Sequence, residues 1–340
     1  MSSESQVESR IQTACLVVLS IIAIATALMW LRPVMIPFVL ALFFTLILNP
    51  LVDFQIKWFK FPHSLAILST LIIGIIILIL MGLLVTSSVE EMVNNADTYQ
   101  AKVTKVLNKV TETSRQEIFG VNIKAALKPF LDNLGNRVGT ILVSTVNAIL
   151  SILKQSVLVF IFILFLLVGS QKQKPSTNPD ILEGQRRIEH YIATKFMISA
   201  LTGTLVGLVL FILHIDLALV FGLFAFILNF IPSIGSIIAT LLPIPVVLVS
   251  PGISPLTAAL AIIIPGCIQF IVGNVIEPKI MGQSLDLHPV TVLMALIFWG
   301  MIWGVVGMFL AIPLTAILKI ILDKLEITKP VSNLLSGRID

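Results

Sequence analysis

The stretch that decides the fold is LALVFGLFAFILNFIPSIGSIIATLLPIPVVLVSPGISPLTAALAIIIPGCIQFIVGNVI, residues 217–276. It contains no Asp, Glu, Lys or Arg. A straight helix of this length would extend about 90 Å, although the hydrocarbon core of a bilayer is only about 30 Å thick. Prolines at positions 232, 243, 245, 251, 255 and 265 interrupt the stretch. We therefore predict two membrane crossings here, with broken or re-entrant helical pieces between them.

The composition of the whole chain is that of an integral membrane protein. Of 340 residues, 57% are hydrophobic and only 12% are charged, whereas soluble domains carry about 25% charged residues. The net charge is +4, but the basic residues lie scattered between apolar segments, so a nucleic-acid partner is not indicated. Cys15 and Cys267 lie far apart in apolar runs, which supports neither a disulfide framework nor a zinc site.

The other uncharged runs predict the remaining membrane segments of an all-α, polytopic protein. They lie at residues 11–31, 33–52, 64–86, 155–170, 196–215 and 290–318. With the two crossings in 217–276 this gives about eight segments. Most short-loop Lys and Arg residues then fall on the side of both termini, whereas the opposite short loops carry only Arg32 and Lys279, which predicts the side of the termini to be cytoplasmic.

The same runs divide the chain into four parts. Residues 1–86 form the N-terminal transmembrane helices, and residues 87–137, rich in both charge signs, form an amphipathic helical extramembrane insert. Residues 138–328 form a C-terminal transmembrane transport region, followed by a tail at 329–340. Within the third part, residues 138–153 are expected to be an entering or interfacial helix from which Lys154 extends to the headgroups.

Several kinds of chemistry have no motif in this chain. No glycine precedes a lysine, so there is no Walker-type phosphate loop. Neither H-E-x-x-H nor G-x-S-x-G occurs, and the four histidines are dispersed. We therefore expect neither an enzyme nor a bound metal or cofactor.

The first polar interruption of apolar sequence is NFIPSIGS, residues 229–236. Pro232 removes a helix hydrogen bond and Gly235 permits unusual backbone conformations, while Asn229, Ser233 and Ser236 add polar side chains. A broken helix at membrane depth exposes main-chain groups that can hold an ion or a polar solute. The alternative is a proline kink whose polar groups are satisfied by neighbouring helices.

The second interruption is GNVIEPKIMGQSLDLHP, residues 273–289. Asn274, Glu277, Lys279 and His288 form a second candidate polar element, in which Glu277 and Lys279 would pair along a solute path. The alternative is a short loop at the headgroup level. The following residues are assigned to helix breaks or packing: Asn49, Pro50, Pro278, Gly282, Pro289, Gly300, Gly304, Gly307 and Pro313.

Over most of its length the chain resembles the autoinducer-2 exporter family of bacterial membrane proteins. The resemblance is carried by RPVMIP at 32–37, LNPLV at 48–52, NFIPSIGS at 229–236, the 273–289 motif, and FWG, WGVVG and LAIPL at 298–300, 303–307 and 310–314. The chain departs from the commoner pattern at Ser233, where many members have an aromatic residue, and at 168–170, where many have an acidic one.

The resemblance implies a secondary transporter of the bacterial inner membrane that assembles as a homo-oligomer, with a pentamer suggested. It implies export of a small polar solute, with autoinducer-2 as one cargo. We expect an ion or proton gradient to drive this export, with Glu277 as the residue that binds the coupling proton or cation. Two alternatives stay open: a monovalent cation (Na⁺ or Li⁺)/proton antiporter, and a non-transporting scaffold or channel-like oligomer.

Overall fold

A computed structural model describes residues 3–94, 156–169, 179–250, 253–281, 285–324, 326 and 328–338. Within these residues every regular element is a helix. In chain order the helices are α1 (Ser3–Trp30), α2 (Arg32–Phe59), α3 (His63–Asn94), α4 (Ser156–Gly169), α5 (Pro179–Ile212), α6 (Ala218–Leu228), α7 (Ile234–Leu241), α8 (Ile244–Val249), α9 (Pro255–Met281), α10 (Pro289–Asp323) and α11 (Lys329–Leu335).

The described helices confirm an all-α membrane protein. By length and composition, five of them can cross a bilayer: α2, α3, α5, α9 and α10. Their apolar side chains are widely exposed, as expected of lipid-facing helices. Helix α3 continues past residue 86 as far as Asn94. The rest of the predicted insert, and the helix predicted at 138–153, lie outside the described residues.

The chain forms two compact units. The first comprises Met1–Asn49, Leu158–Glu189 and Gln283–Asp340, and the second comprises Pro50–Val157 and His190–Gly282. Each unit is built from segments that are distant in sequence. The two motifs of interest within 217–282 therefore belong to the second unit, whereas His288 and the last long helix belong to the first.

In the first unit, α10 folds back on itself. Gly304 has φ +64° and ψ −142° inside an otherwise helical run. On a straight helix Trp299 and Thr315 would be about 24 Å apart, yet Trp299 Nε1 donates to Thr315 Oγ1 at 3.2 Å. The single span predicted at residues 290–318 is therefore a hairpin of two arms, 289–303 and 305–323, each close to the other.

Small residues allow this hairpin to close. A Cβ on Gly307 would lie 1.9 Å from the Trp299 carbonyl oxygen, and one on Gly300 would lie 3.0 Å from Met308 Cγ. Pro313 is buried in the second arm, and Pro289 occupies the first turn of the first arm. Of the glycines assigned to helix break or packing, Gly304 makes the turn, and Gly300 and Gly307 let the two arms approach.

The first arm and the hairpin turn are anchored on α1 and α2. Trp303 Nε1 donates to the Leu28 carbonyl oxygen at 3.2 Å, and Trp303 packs with Ile36 and Ile302 in a buried apolar cluster. Helix α2 itself runs through Asn49 and Pro50 without interruption. The helix therefore has no break at Pro50, although the sequence assigned Asn49 and Pro50 to a helix break or to packing.

The core of the second unit lies around α5 and α6. Val206 and Leu210 pack with Phe221 and with residues of α7, α8 and α9. Glycines permit a close crossing, since a Cβ on Gly203 would lie 2.6 Å from the Gly222 carbonyl oxygen. The short helices α6, α7 and α8 occupy the proline-rich stretch that the sequence predicts to be broken.

Candidate functional site

A polar stripe runs along the buried face of α5. Tyr191, Lys195, Ser199 and Thr202 recur at spacings of three or four residues, and all four are buried. Lys195 lies in the middle of α5 and its side chain is only 2% exposed. The membrane segment predicted from the sequence begins at Phe196, because the charge of Lys195 ends the uncharged run.

The partner of Lys195 is Glu277 on α9. The Lys195 ammonium donates to Glu277 Oε1, and the Glu277 side chain is 22% exposed. Tyr191 lies one turn before Lys195 on the same buried face of α5. The pair predicted between Glu277 and Lys279 is therefore wrong, since Lys279 is exposed on the far side of the same turn.

The backbone that carries Glu277 is widened rather than broken. A π-helical turn at Val272–Ile276 separates the two α-helical parts of α9, and the Glu277 amide donates to the Val272 carbonyl oxygen. Such single π turns inside α-helices are rare and are often found at functional sites. Glu277 thus lies in a helix long enough to cross a membrane. The helix break expected near this residue is instead a local widening of the helix into a π turn.

The break at the first motif is a true one. Helix α6 ends at Leu228 and α7 begins at Ile234. Ser233, which follows Pro232, has φ +59°, a left-handed value that is unusual for serine. A Cβ on Gly235 would lie 1.7 Å from the Leu228 carbonyl oxygen. The close return of the chain therefore requires glycine at position 235.

The break places Asn229 against the polar stripe of α5. Asn229 is buried, and its Nδ2 donates to Ser199 Oγ at 3.0 Å. Ser199 lies one turn beyond Lys195 on the same face of α5. The first motif and the ion pair are thus linked through adjacent positions on one helix.

The break also places α7 against α9. A Cβ on Gly273 would lie 4.0 Å from Ser236 Oγ, and one on Gly266 would lie 3.5 Å from Thr240 Cγ2. Ser236 and Thr240 are one turn apart on α7, and Gly266 and Gly273 are two turns apart on α9. A polar face of α7 therefore lies along a glycine-rich face of α9. Ser236 from the first motif and Gly273 from the second therefore lie close together.

The other residues singled out in the 273–289 motif do not take part in the ion pair. Asn274 is exposed, and its Nδ2 donates to the Phe270 carbonyl oxygen of its own helix at 3.0 Å. Pro278 is exposed on the last turns of α9, and Gly282 lies outside the described residues. His288 belongs to the first unit, where its Nδ1 accepts from the Val290 amide at 3.3 Å and caps α10.

The base of the α10 hairpin holds a second charge cluster, in the first unit. Lys319 Nζ donates to Asp286 Oδ2 at 2.7 Å, and Arg338 donates to the same oxygen at 3.1 Å. Burial alone would raise the pKa of Asp286, but the hydrogen bond and positive charge of Lys319, with the charge of Arg338, hold that pKa below its ordinary value. The cluster joins the two ends of the hairpin to the C-terminal segment.

Sequence reasoning missed Tyr191, Lys195 and Ser199, although a signal for them exists. Their spacing of four residues would have placed them on one helical face had the helix been extended back from Phe196. No group of three or more His, Cys, Asp or Glu residues within the described segments is arranged to hold a metal ion. The site thus offers a buried ion pair, an amide, hydroxyls and main-chain groups at a helix break.

Comparisons with known proteins match most of the chain to one family. The sequence model of a family described as AI-2E family transporter matches residues 18–327. TqsA of Escherichia coli, an AI-2 transport protein, is 32% identical over 315 residues, 89% of each chain. A protein of Haemophilus influenzae is 30% identical over 85% of this chain and 86% of its own. YueF of Bacillus subtilis is 28% identical, with 89% of each chain covered.

Proposed function

We propose that this chain, which belongs to the AI-2E family of transporters, is a secondary transporter that moves a small polar solute outward through its second unit. Membrane transport is the function of the family. What we propose beyond membrane transport is the kind of solute, the driving ion and the route. The main support for this proposal is the Lys195–Glu277 pair, which lies in span-length helices with Lys195 buried and Glu277 partly exposed, beside the helix break at Asn229–Ser233.

The charges of Lys195 and Glu277 lie in helices long and apolar enough to cross a membrane, and this placement requires a functional explanation. An ionisable side chain in a membrane segment costs about 2.5–3.5 kcal/mol or more on insertion scales, and such residues commonly mark solute and ion pathways. Glu277 retains partial exposure while Lys195 has almost none. The carboxylate is therefore the member of the pair that an incoming proton or cation reaches first.

This asymmetry gives a coupling mechanism. Protonation of Glu277 removes the negative charge that pairs with the Lys195 ammonium, and this leaves a buried ammonium without its counter-ion. The two protonation states therefore favour different arrangements of α5 and α9. We assign Glu277 as the proton or cation acceptor, and Asn229, Ser199 and Ser236 as polar groups along the solute route.

The name of TqsA makes autoinducer-2 the first cargo to test for this chain. Bacterial inner-membrane location and homo-oligomeric assembly complete the proposal. Purified protein in liposomes with an imposed pH gradient should drive autoinducer-2 flux, and Glu277→Gln should abolish the gradient-driven part. Lys279→Gln is the matched control, because it removes an exposed charge two residues further along the same helix. Normal gradient-driven flux in Glu277→Gln would refute the coupling role.

A second candidate is a monovalent cation/proton antiporter. It is favoured by the Lys195 ammonium on Glu277, since that carboxylate already binds a monovalent cationic group. A pH-sensitive dye in everted vesicles separates the two functions. Proton movement on addition of Na⁺ or Li⁺ without any organic solute would support the antiporter.

A further inference from the structure

Gln269 on α9 is a buried polar side chain that the proposed mechanism does not use. It is 4% exposed. Neither its Nε2 nor its Oε1 has a hydrogen-bond partner among the described residues. A primary amide can donate two hydrogen bonds and accept two, and buried polar side chains of native proteins are nearly always satisfied.

Two glycines flank Gln269 on the side of α9 that approaches α7. Gly266 and Gly273 lie three residues before it and four after it, on the same face of α9. These glycines face Thr240 and Ser236 of α7. The other side of Gln269 is flanked by the buried side chains of Pro265 and Val272, and Val272 begins the π turn. The amide therefore lies between a bulky apolar side of α9 and the glycine side that approaches α7.

The chemistry of an amide restricts what can bind here. A bare cation would be coordinated by Oε1 but would leave the Nε2 donors without an acceptor, and an anion would leave the oxygen without a donor. A hydroxyl group both donates and accepts, so it satisfies both atoms of the amide. No charged partner is required for this contact.

We propose that the Gln269 amide binds an uncharged hydroxyl group of the transported solute between α7 and α9. This inference rests on the transport function proposed above. It makes Gln269 a determinant of substrate affinity and separates its role from that of Glu277, which responds to the driving ion. Substitution of Gln269 should therefore change the half-saturating solute concentration without removing the response to the gradient.

The first arm of the test is thermal unfolding of the purified, ligand-free protein. Gln269→Leu should raise the apparent Tm by about 2 °C, because a buried amide without a partner is replaced by an apolar side chain of similar size. Gln55→Leu is the matched control, since Gln55 Nε2 donates to Thr70 Oγ1 at 3.1 Å and Gln55 Oε1 accepts from Ser69. That substitution should lower the Tm. A lower Tm for Gln269→Leu would mean that its amide is already satisfied within the protein and would overturn the inference.

The second arm is autoinducer-2 flux in proteoliposomes over a range of concentrations. Gln269→Leu should raise the half-saturating concentration at least about tenfold, with the maximal gradient-driven rate within about twofold of wild type. An unchanged half-saturating concentration would overturn the inference. The proposed function fails differently: it is refuted if wild-type protein gives no flux, or if Glu277→Gln transports normally whatever Gln269→Leu does.

Discussion

Replacing either member of the Lys195–Glu277 ion pair should destabilise the protein, but by different amounts. Replacing Glu277 by Leu leaves an ammonium that is 2% exposed without its carboxylate, whereas replacing Lys195 by Met leaves a carboxylate that is 22% exposed. Water can hydrate the unpaired Glu277 carboxylate far better than the unpaired Lys195 ammonium. The Glu277→Leu variant should therefore be the less stable of the two.

The magnitudes follow from this difference in burial. Removing one partner of a buried ion pair costs about 3–5 kcal/mol, which we expect for Glu277→Leu. Lys195→Met should cost about 1–2 kcal/mol, because the remaining carboxylate keeps part of its hydration. The double variant should recover most of the loss, since two apolar side chains replace a buried pair at little net cost.

The assay is thermal unfolding of the four proteins in one detergent, at about 2 °C of Tm per kcal/mol. The Arg187–Glu183 pair on the same helix is the control: both side chains are more than half exposed, so Glu183→Leu should change stability by less than about 1 kcal/mol. Strictly additive losses in the double variant would refute a buried, mutually dependent pair. The double variant should fold and yet fail to respond to the proton gradient.

Three further predictions concern backbone turns and the second charge cluster. Gly304→Ala should destabilise the protein by about 1–3 kcal/mol, because φ +64° with ψ −142° is essentially restricted to glycine; wild-type Tm would contradict the hairpin. Gly235→Ala should reduce folded yield in fluorescence-detected size exclusion, because its Cβ would lie 1.7 Å from the Leu228 carbonyl oxygen; normal yield would argue against the close turn. Since the folded-state pKa of Asp286 is lowered, its contribution to stability is present above its unfolded pKa of about 3.9 and is lost as pH falls through the folded value. The Tm difference between wild type and Asp286→Asn should thus be constant above about pH 5 and shrink below about pH 4, and an undiminished difference at pH 3 would contradict this sign.

The sequence predicts the helical, membrane-embedded character of the chain well, because runs of uncharged residues have one stable structure in lipid. It also predicts the break at Pro232, where a proline, a polar asparagine and a glycine coincide. The hairpin of α10 is not predictable in this way. The segment is uniformly apolar, and only the long-range contacts of Trp299 and Lys319 reveal that Gly304 reverses the chain.

The candidate site is only partly predictable for a related reason. Glu277 was identified because a charge among apolar residues is conspicuous in sequence, but its partner depends on which helices pack together. Lys279 is near in sequence and lies on another face of the helix, whereas Lys195 is 82 positions away and reaches the carboxylate. Gln269 escaped notice because an uncharged amide is unremarkable until its burial is known.

The central claim, that the break beside Pro232 opens a water-accessible polar route in the second unit, can be tested by cysteine accessibility in intact membranes. Cys15 and Cys267 are exposed and would first be replaced by serine. Ser236→Cys should then react with a membrane-impermeant thiol reagent, because thiolates form only where water is present. Ile237→Cys, at an exposed apolar position, should stay unreactive in lipid. Equal lack of reaction at both positions would contradict the route proposed for this transporter.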